Sequence, residues 1–236
     1  MSNLGGISAS VIFDLDGTLV DSEPNYFEAG RQTLAGQGIT DFTWADHERY
    51  VGISTQETIA LWKERYGLDA SADELLADKN RRYLELARAS TRVYPQMRRF
   101  VELLAGAGVP MAVASGSSRS AIEAILAGTG LGERLRVVVS AEEVARGKPA
   151  PDVFLEAARR LGAAPGRCVV LEDAVPGVVA ARAAGMRCIA VPYVLAQADD
   201  PAFAAAGLLL RGGQGEFTAE AAYEWLRASE RVAPPV

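Results

Sequence analysis

The chain has 236 residues, which is more than one average domain and fewer than two, and 49% of them are hydrophobic against 23% charged. This composition is ordinary for a soluble globular protein and contains too much apolar material for a disordered chain. Asp and Glu outnumber Lys and Arg by 30 to 24, which gives a net charge of −6. An acidic chain without a basic block is a poor candidate for binding nucleic acid or an anionic membrane.

Two scarce residue types narrow the chemistry further. His47 is the single histidine, which excludes a metal site built from several histidines and disfavours a Ser-His-Asp triad. We expect it on the surface of a helix. The 24 basic residues include three lysines, so each lysine is informative. Cys168 and Cys188 lie far apart in apolar runs, and no targeting segment is visible. We therefore expect buried thiols in a cytoplasmic protein.

The first predicted element is a buried strand from Ser10 to Leu15, which ends at acidic residues and Gly17. The following segment contains long helical periods and lacks another short apolar β run. The spacing of Ser54 and Glu57 matches a capping box and sets the start of the third helix of this segment. Helices are predicted over 24–37, 43–50, 55–66 and 72–90.

From Val93 a regular alternation of helices and strands begins. Such βα units imply a parallel sheet covered by helices on both faces. The fold class is therefore α/β, with a doubly wound parallel-sheet core over 1–19 plus 93–236 and an inserted all-helical cap over 20–92. Helices are predicted over 96–107, 119–128, 151–161, 175–184 and 218–230, and strands over 110–115, 136–140, 167–172, 187–192 and 207–210.

Polar side chains follow four of the predicted strands, at the edge where open parallel sheets bind ligands. Any one of these residues alone could be a solvated turn residue or a helix cap. The chemical interpretation depends on their convergence from four separate segments. In chain order they are Asp14 and Asp16, Ser115, Lys148, and Glu172 with Asp173.

The acidic residues suggest a nucleophile, an acid/base and a metal site. Asp14 and Asp16 are two positions apart on an extended chain, so their side chains point the same way at about 6–7 Å. That spacing suits a nucleophile and an acid/base on either side of a reacting group. Glu172 and Asp173 end an apolar strand, where adjacent carboxylates need a cation. Oxygen ligands without His or Cys predict Mg²⁺.

Ser115 and Lys148 suggest a site for an anion. Ser115 lies between a strand and a helix, where its hydroxyl and the neighbouring N–H groups can hold a phosphoryl group. Lys148 precedes a helix, at the end where the helix dipole disfavours a cation. A negative partner should therefore hold it, and either a phosphoryl group or the carboxylate of Asp14 would serve.

These segments resemble the motifs of the haloacid dehalogenase superfamily of aspartyl-phosphate phosphohydrolases, and most closely its β-phosphoglucomutase-like branch with a helical cap. The likeness runs in order from about Val11 to Pro192 and implies a Rossmann-like core. The matching motifs are FDLDGTLVDSE from Phe13 to Glu23, VASGSS from Val113 to Ser118, GKPAPDVF from Gly147 to Phe154, and LEDAVPGV from Leu171 to Val178.

The resemblance implies roles for the four acidic residues. Asp14 would be the nucleophile that becomes a phosphoaspartate. Asp16 would protonate the leaving oxygen and then activate water, while its backbone carbonyl binds Mg²⁺. Asp14 and Asp173 would be carboxylate ligands of the metal. Glu172 would be a ligand or would support one.

The resemblance also implies residues that bind the substrate. Thr18, Ser115 and Gly116 would bind or position the phosphoryl group. Lys148 would offset negative charge on that group and on the nucleophile, which is the electrostatic help that phosphoryl transfer requires. In the cap, Gly52 and Lys79 match positions that contact substrate. Arg119 stands where the branch has a substrate-contacting asparagine.

Other reactions of the superfamily fit these residues less well than hydrolysis does. Asp16 argues against dehalogenation, which needs no proton donor for an alkoxide. Hydrolysis of a C–P bond would need a Schiff-base lysine in the cap, for which Lys63 and Lys79 are the candidates. A sugar-phosphate mutase must hold a phosphate at each end of its intermediate. The cap arginine that would do so is replaced by Thr55, and a hinge histidine by Tyr26.

The sequence therefore predicts a Mg²⁺-dependent phosphatase that hydrolyses a small phosphomonoester, a sugar phosphate, with the mutase as the alternative. A binder without activity is disfavoured because all the expected catalytic residues are present. The cap helices would close over the site and exclude bulk water. The expected partner is the phosphorylated metabolite, with no nucleic acid or membrane, for a protein that is a monomer or a weak homodimer.

Overall fold

The computed structural model describes residues 7–51 and 53–230. The strands are β1 (Ser10–Phe13), β2 (Val20–Asp21), β3 (Arg92–Val93), β4 (Met111–Ser115), β5 (Val137–Ser140), β6 (Cys168–Glu172), β7 (Arg187–Ala190) and β8 (Leu208–Leu209). The helices are α1 (Glu23–Gly36), α2 (Trp44–His47), α3 (Thr55–Tyr66), α4 (Ala72–Ser90), α5 (Pro95–Gly106), α6 (Arg119–Thr129), α7 (Asp152–Leu161), α8 (Val175–Ala183) and α9 (Ala219–Glu230).

Six parallel strands form the central sheet in the order β5-β4-β1-β6-β7-β8. Side chains of β1 alternate between its two faces, so Val11 and Phe13 enter one apolar layer and Ile12 the other. The first layer is closed by α5, α6 and α9, and the second by α7 and α8. Helices on both faces of a parallel sheet confirm the expected doubly wound α/β fold.

Helices α1 to α4 lie between β2 and β3, which pair with each other as a short antiparallel ribbon. This helical insertion has a small apolar core of its own, with Leu34, Phe42, Ile59, Trp62 and Leu75 as members. A Cβ on Gly30 would lie 2.9 Å from the Trp62 ring, so the glycine allows α1 to approach it. The exact limits of the cap, expected at 20 and 92, stay a prediction.

The structure differs from the predicted elements in several places. The strands predicted over 187–192 and 207–210 are shorter, Arg187–Ala190 and Leu208–Leu209. The first strand ends at Phe13 and not at Leu15, because the chain turns at Gly17, whose φ of 76° favours glycine. The helix predicted over 43–50 is the short α2, followed by a 3-10 turn over Glu48–Tyr50. The β2–β3 ribbon was not predicted, because each of its two-residue strands pairs one apolar residue with one charged residue and forms no apolar run.

Each helix in the described part of the chain is too short or too polar to span a membrane. Cys168 and Cys188 are buried free thiols, as expected. Burial raises the pKa of Cys168, so at neutral pH this thiol stays protonated.

Candidate active site

A cavity of about 190 Å³ lies between the carboxyl ends of the central strands and the helical insertion. Because β1 pairs with both β4 and β6 in parallel register, the residues that follow these strands meet at one edge of the sheet. The sheet side of the cavity includes Asp14, Asp16, Ser115, Gly116, Ser117, Lys148, Glu172 and Asp173, and the helical side includes Glu23, Tyr26, His47, Tyr50, Thr55, Trp62 and Lys79.

Three buried carboxyl groups form the centre of the sheet side. Asp14, Glu172 and Asp173 each offer an oxygen, and these oxygens lie within 4.8 Å of one another. Phe13 lies opposite Leu171 in the β1–β6 pair, so the acidic residues that follow them are neighbours by register. The sequence prediction that residues 14 and 173 converge is in agreement with this geometry.

Two glycines make room for these carboxylates. A Cβ on Gly177, in the first turn of α8, would overlap the carboxylate of Glu172, and a Cβ on Gly17 would overlap that of Asp173. The space permits Glu172 Oε2 to accept hydrogen bonds from the N–H groups of Asp173 and Ala174, at 2.9 and 3.1 Å. Thr18 Oγ1 donates to Asp173 Oδ1 at 3.0 Å.

Lys148 is the one cation in contact with this cluster among the described residues. Its Nζ donates to Asp14 Oδ1 and to Glu172 Oε1, both at 2.5 Å. Burial alone would lower the pKa of Lys148, but the charges of Asp14 and Glu172 outweigh burial and raise it. The lysine is therefore held in its charged form.

One ammonium does not balance three buried carboxylates. Burial, opposed by Lys148, raises the pKa of Asp14 to about 8, and burial also raises the pKa of Asp173 well above its usual range. The cluster thus either keeps protons or gains positive charge. Three carboxylates without nitrogen or sulfur ligands suit Mg²⁺, so the residues present fit the ion that the sequence predicts.

Asp16 faces a ring of hydroxyl groups. Its Oδ1 accepts from Ser22 Oγ at 2.7 Å and from Tyr83 OH at 3.0 Å. Its Oδ2 accepts from Ser117 Oγ at 2.7 Å and from Ser115 Oγ at 3.1 Å. Ser115 thus contacts the carboxylate as well as lining the cavity. Ser22, Tyr83 and Ser117 were not identified from the sequence.

Two tyrosines connect the helical insertion to this ring. Tyr83 reaches Asp16 from α4, and Tyr26 of α1 shares a hydrogen bond of 2.6 Å with the Ser117 hydroxyl. The two rings stack with their centroids 3.9 Å apart. Burial raises the pKa of both phenols, so both remain protonated and able to donate. The orientation of Asp16 therefore depends on residues of the insertion.

His47 corrects one prediction. It was expected on the surface, but it is buried and its Nε2 donates to Glu23 Oε2 at 2.7 Å. The partner lies 24 positions away on α1, and the relation of the two helices was not readable from their periodicity. Both side chains line the cavity.

Lys79 lies on the same side of the cavity, where the sequence predicted a substrate contact. It is buried, with its Nζ 4.9 Å from the ring centroid of Tyr26 and 5.8 Å from that of Trp62. Burial lowers its pKa to about 8. A lysine in this state is a cation held at some cost to stability, which is typical of functional sites.

Gly116, Gly52 and Arg119 were also predicted to contact the substrate. Gly116 lines the cavity, next to Ser115. Gly52 lies outside the described residues. Arg119 does not line the cavity: its guanidinium donates to Glu123 at 2.6 Å and to Glu143 at 3.2 Å, at the start of α6. The structure therefore removes Arg119 from the candidate substrate contacts, since local carboxylates hold it on the surface.

Gln214 was not identified from the sequence as a residue of the site. Its Nε2 donates to the carbonyl oxygens of Gly17 and Thr18, at 3.2 and 2.9 Å, from a turn nearly two hundred positions further along the chain. Its Oε1 is buried without a hydrogen-bond partner among the described residues. Gln214 thus holds the turn that follows Asp14 and Asp16.

Comparisons with known proteins give one family and several named relatives. The model of the haloacid dehalogenase-like hydrolase family matches residues 9–185. Protein CbbY of Rhodobacter capsulatus is 33% identical over 201 residues, which cover 81% of this chain and 88% of that protein. Fructose-1-phosphate phosphatase YqaB of Escherichia coli K12 is 36% identical over 186 residues, which cover 78% and 96%.

A solved structure agrees with the fold. The β-phosphoglucomutase of Clostridium difficile superposes with a TM-score of 0.78 at 23% identity, over 95% of this chain and 99% of that chain. At this identity the likeness establishes the fold alone. It supports the doubly wound core with inserted helices that the motifs predicted.

Proposed function

This chain belongs to the haloacid dehalogenase-like hydrolase family, and we propose that it is a Mg²⁺-dependent phosphatase that hydrolyses a small phosphomonoester, a sugar phosphate, through a phosphoaspartate on Asp14. The family membership confirms the resemblance and the expected enzyme class, since curated relatives of the chain are phosphatases. The observation that carries the proposal is the convergence of Asp14, Glu172, Asp173 and Lys148 at one end of the cavity.

The carboxylates of Asp14 and Asp173 would hold Mg²⁺, together with the backbone carbonyl of Asp16 and with Glu172 as a ligand or as support. Glu172 already accepts from two backbone N–H groups and from Lys148, which favours the supporting role. A bound Mg²⁺ neutralises charge on phosphoryl oxygens and orients the group for in-line attack.

In the first half-reaction, a carboxylate oxygen of Asp14 attacks phosphorus while the bond to the leaving oxygen breaks. Asp16 lines the same cavity and would give that oxygen its proton. Lys148 contacts Asp14 and would stabilise the charge of the phosphoryl oxygens. The hydroxyl of Ser115 and the backbone at Gly116 would hold the same group.

In the second half-reaction, water attacks the phosphoaspartate and Asp16 takes up its proton, which restores both residues and releases phosphate. For either transfer, Asp16 must exchange one of its four hydroxyl contacts for the reacting oxygen. Tyr83 donates one of these contacts from the insertion. Movement of the insertion would therefore place Asp16 for catalysis.

The experiment is a phosphate-release assay on sugar phosphates and nucleotides, with Mg²⁺ and with excess EDTA. We expect release with Mg²⁺, its loss in EDTA and its recovery when Mg²⁺ is restored. Release that persists in EDTA would contradict the metal-dependent mechanism. Incubation of β-glucose 1-phosphate with a trace of glucose 1,6-bisphosphate tests the mutase alternative, which would isomerise the sugar phosphate without net release of phosphate.

A further inference from the structure

The side chain of Gln214 donates to a single turn beside the cavity. Its Nε2 bonds the carbonyl oxygens of Gly17 and Thr18, at 3.2 and 2.9 Å. Both partners are acceptors, so only the amide nitrogen, with its two N–H groups, can face them. The Oε1 atom is buried and has no partner among the described residues, which costs stability. A buried group that is kept unsatisfied in this way calls for a functional explanation.

The turn that Gln214 holds contacts Asp173 through both of its residues. Thr18 is fully buried, and its Oγ1 donates to Asp173 Oδ1 at 3.0 Å. Gly17 has a φ of 76°, and a Cβ there would lie 2.4 Å from Asp173 Oδ2. Asp16, whose backbone carbonyl is a proposed ligand of Mg²⁺, directly precedes this turn. A displacement of the turn would therefore disturb both the Asp173 carboxylate and the Asp16 carbonyl.

The 3-10 turn Gly213–Gly215, which carries this side chain, also packs against the loop after β7. A Cβ on Gly213 would lie 2.4 Å from the carbonyl oxygen of Pro192. The next residue of that loop, Tyr193, donates its N–H to the carbonyl oxygen of Asp173 at 3.3 Å. The 3-10 turn thus contacts both of the backbone segments that hold Asp173.

The 3-10 turn is itself anchored to the sheet and to its apolar layer. On one side of Gln214, the N–H of Gly213 donates to the carbonyl oxygen of Leu210, which follows β8, at 2.9 Å. On the other side, the buried ring of Phe217 packs against Phe100 of α5, with the centroids 5.8 Å apart. Gln214 therefore projects from a backbone that is fixed before and after it.

We infer that Gln214 is a positioning residue of the metal site, which raises the affinity for Mg²⁺ by holding the Gly17–Thr18 turn. It does not line the cavity in the described structure, and it acts through Asp16 and Asp173. Mg²⁺ demands near-octahedral oxygen ligands, and groups that orient the ligands of a metal typically change its affinity by about 10- to 100-fold. The inference rests on the proposed function, because the ion is taken to bind at Asp14 and Asp173.

The test measures Mg²⁺ binding by the full chain without substrate, from the rise in the midpoint of thermal unfolding as the Mg²⁺ concentration increases. Gln214→Met keeps the length of the side chain and removes both donors. We expect this variant to bind Mg²⁺ with a Kd about tenfold higher than that of the wild type. In the phosphate-release assay it should need about tenfold more Mg²⁺ for the half-maximal rate and should reach a similar kcat once the ion is saturating.

Two further variants separate positioning from folding. Gln214→Asn keeps an amide that is one methylene shorter, and we expect it to fold and to raise the Kd as well, since the shorter side chain loses at least one of the two contacts. Gln37→Met is the matched control, because Gln37 is exposed and its side chain makes no hydrogen bond within the described structure. The control should keep the wild-type Kd. Urea denaturation in EDTA measures the stability of each variant without the ion.

Two outcomes would overturn the inference. One is a wild-type Kd for Mg²⁺ in a Gln214 variant that folds, because a loss of stability in EDTA without a change in Kd would indicate a structural role alone. The other is a wild type that binds no Mg²⁺, which would overturn the proposed metal-dependent function and this inference with it. The first outcome leaves the proposed function standing, so the two failures are distinguishable.

Discussion

The sheet side and the helical side of the cavity differ in whether their polar groups have partners. On the sheet side, the functional groups bind one another: Lys148 bridges Asp14 and Glu172, and Asp16 accepts four hydroxyl contacts. On the helical side, Lys79 and Trp62 keep donors without acceptors in the described structure. The comparison suggests that the sheet side is organised in advance for the reaction, while the helical side is completed by a ligand.

The largest expected effect comes from removing the nucleophile on the sheet side. Asp14→Asn should lower kcat by about 10⁴-fold or more, because a carboxamide cannot form the phosphoaspartate. Phosphate release measures the loss. Asp69→Asn is the control, since Asp69 is exposed in a loop of the insertion. Activity within a few-fold of the wild type after Asp14→Asn would refute the proposed chemistry.

A second change tests how closely the sheet side is packed. Gly177→Ala places a Cβ on the carboxylate of Glu172, and we expect a loss of about 3 kcal/mol in the free energy of unfolding, since a buried group must shift. Gly106→Ala in α5 meets nothing within 4 Å and should be neutral or stabilising by about 1 kcal/mol. Urea denaturation compares the two, and equal effects would contradict the packing argument.

On the helical side, we expect a substitution to raise the free energy of unfolding and not to lower it. Burial of Lys79 lowers its pKa from 10.5 to about 8, which lowers the free energy of unfolding by about 3 kcal/mol. Contacts of the ammonium with the aromatic ring faces offset about 1 kcal/mol of this loss. Lys79→Met should therefore raise the free energy of unfolding by about 2 kcal/mol while lowering kcat/KM for the sugar phosphate. A variant that is both less stable and less active would indicate that Lys79 has a structural role.

The gain in stability from Lys79→Met should depend on pH in a defined direction. The pKa of Lys79 is lowered from 10.5 to about 8 in the folded protein. Below pH 8 the lysine therefore destabilises the folded state by the full cost of this shift. The cost disappears as the pH rises towards 10.5, because the unfolded chain then loses the proton as well. Unfolding measured from pH 7 to 10 should show the wild type approaching the variant.

The smallest expected effect concerns the contact between the two sides. Tyr83→Phe removes the hydroxyl that α4 donates to Asp16, and we expect kcat to fall by about tenfold or less, in line with one lost hydrogen bond to a charged group. Tyr223→Phe on α9 is the matched control, because no hydrogen bond of its hydroxyl exists within the described residues. An unchanged kcat in both variants would show that Asp16 needs no support from the insertion.

The sheet side could be predicted because its residues follow strands directly. Asp14, Ser115 and Glu172 each end or follow a buried apolar run, and parallel pairing brings such positions together in any fold of this class. The residue types alone, oxygen ligands without His or Cys, predicted Mg²⁺. Lys148 needed one more step, since its unfavourable place before a helix predicted a negative partner that the structure supplies in Asp14 and Glu172.

The helical side could not be predicted in the same way. The partner of His47 is Glu23, and their contact depends on how α1 and α2 pack, which helical periodicity does not specify. Arg119 failed as a substrate contact because nearby carboxylates hold it. Gln214 lies outside the residues that match the family, and only the folded chain brings it to Gly17 and Thr18.

The β2–β3 ribbon has a consequence for how such a protein can change. The chain enters the helical insertion through β2 and leaves it through β3, and these two strands pair with each other. The arrangement of the strands in the central sheet therefore does not depend on which helices lie between β2 and β3. The insertion could be replaced by one of different length or sequence while the groups around Asp14 keep their positions. Grafting another set of helices between Asp21 and Arg92 would then alter which molecules are accepted, provided that the new helices again supply the hydroxyl groups that Tyr83 and Tyr26 direct to Asp16 and Ser117.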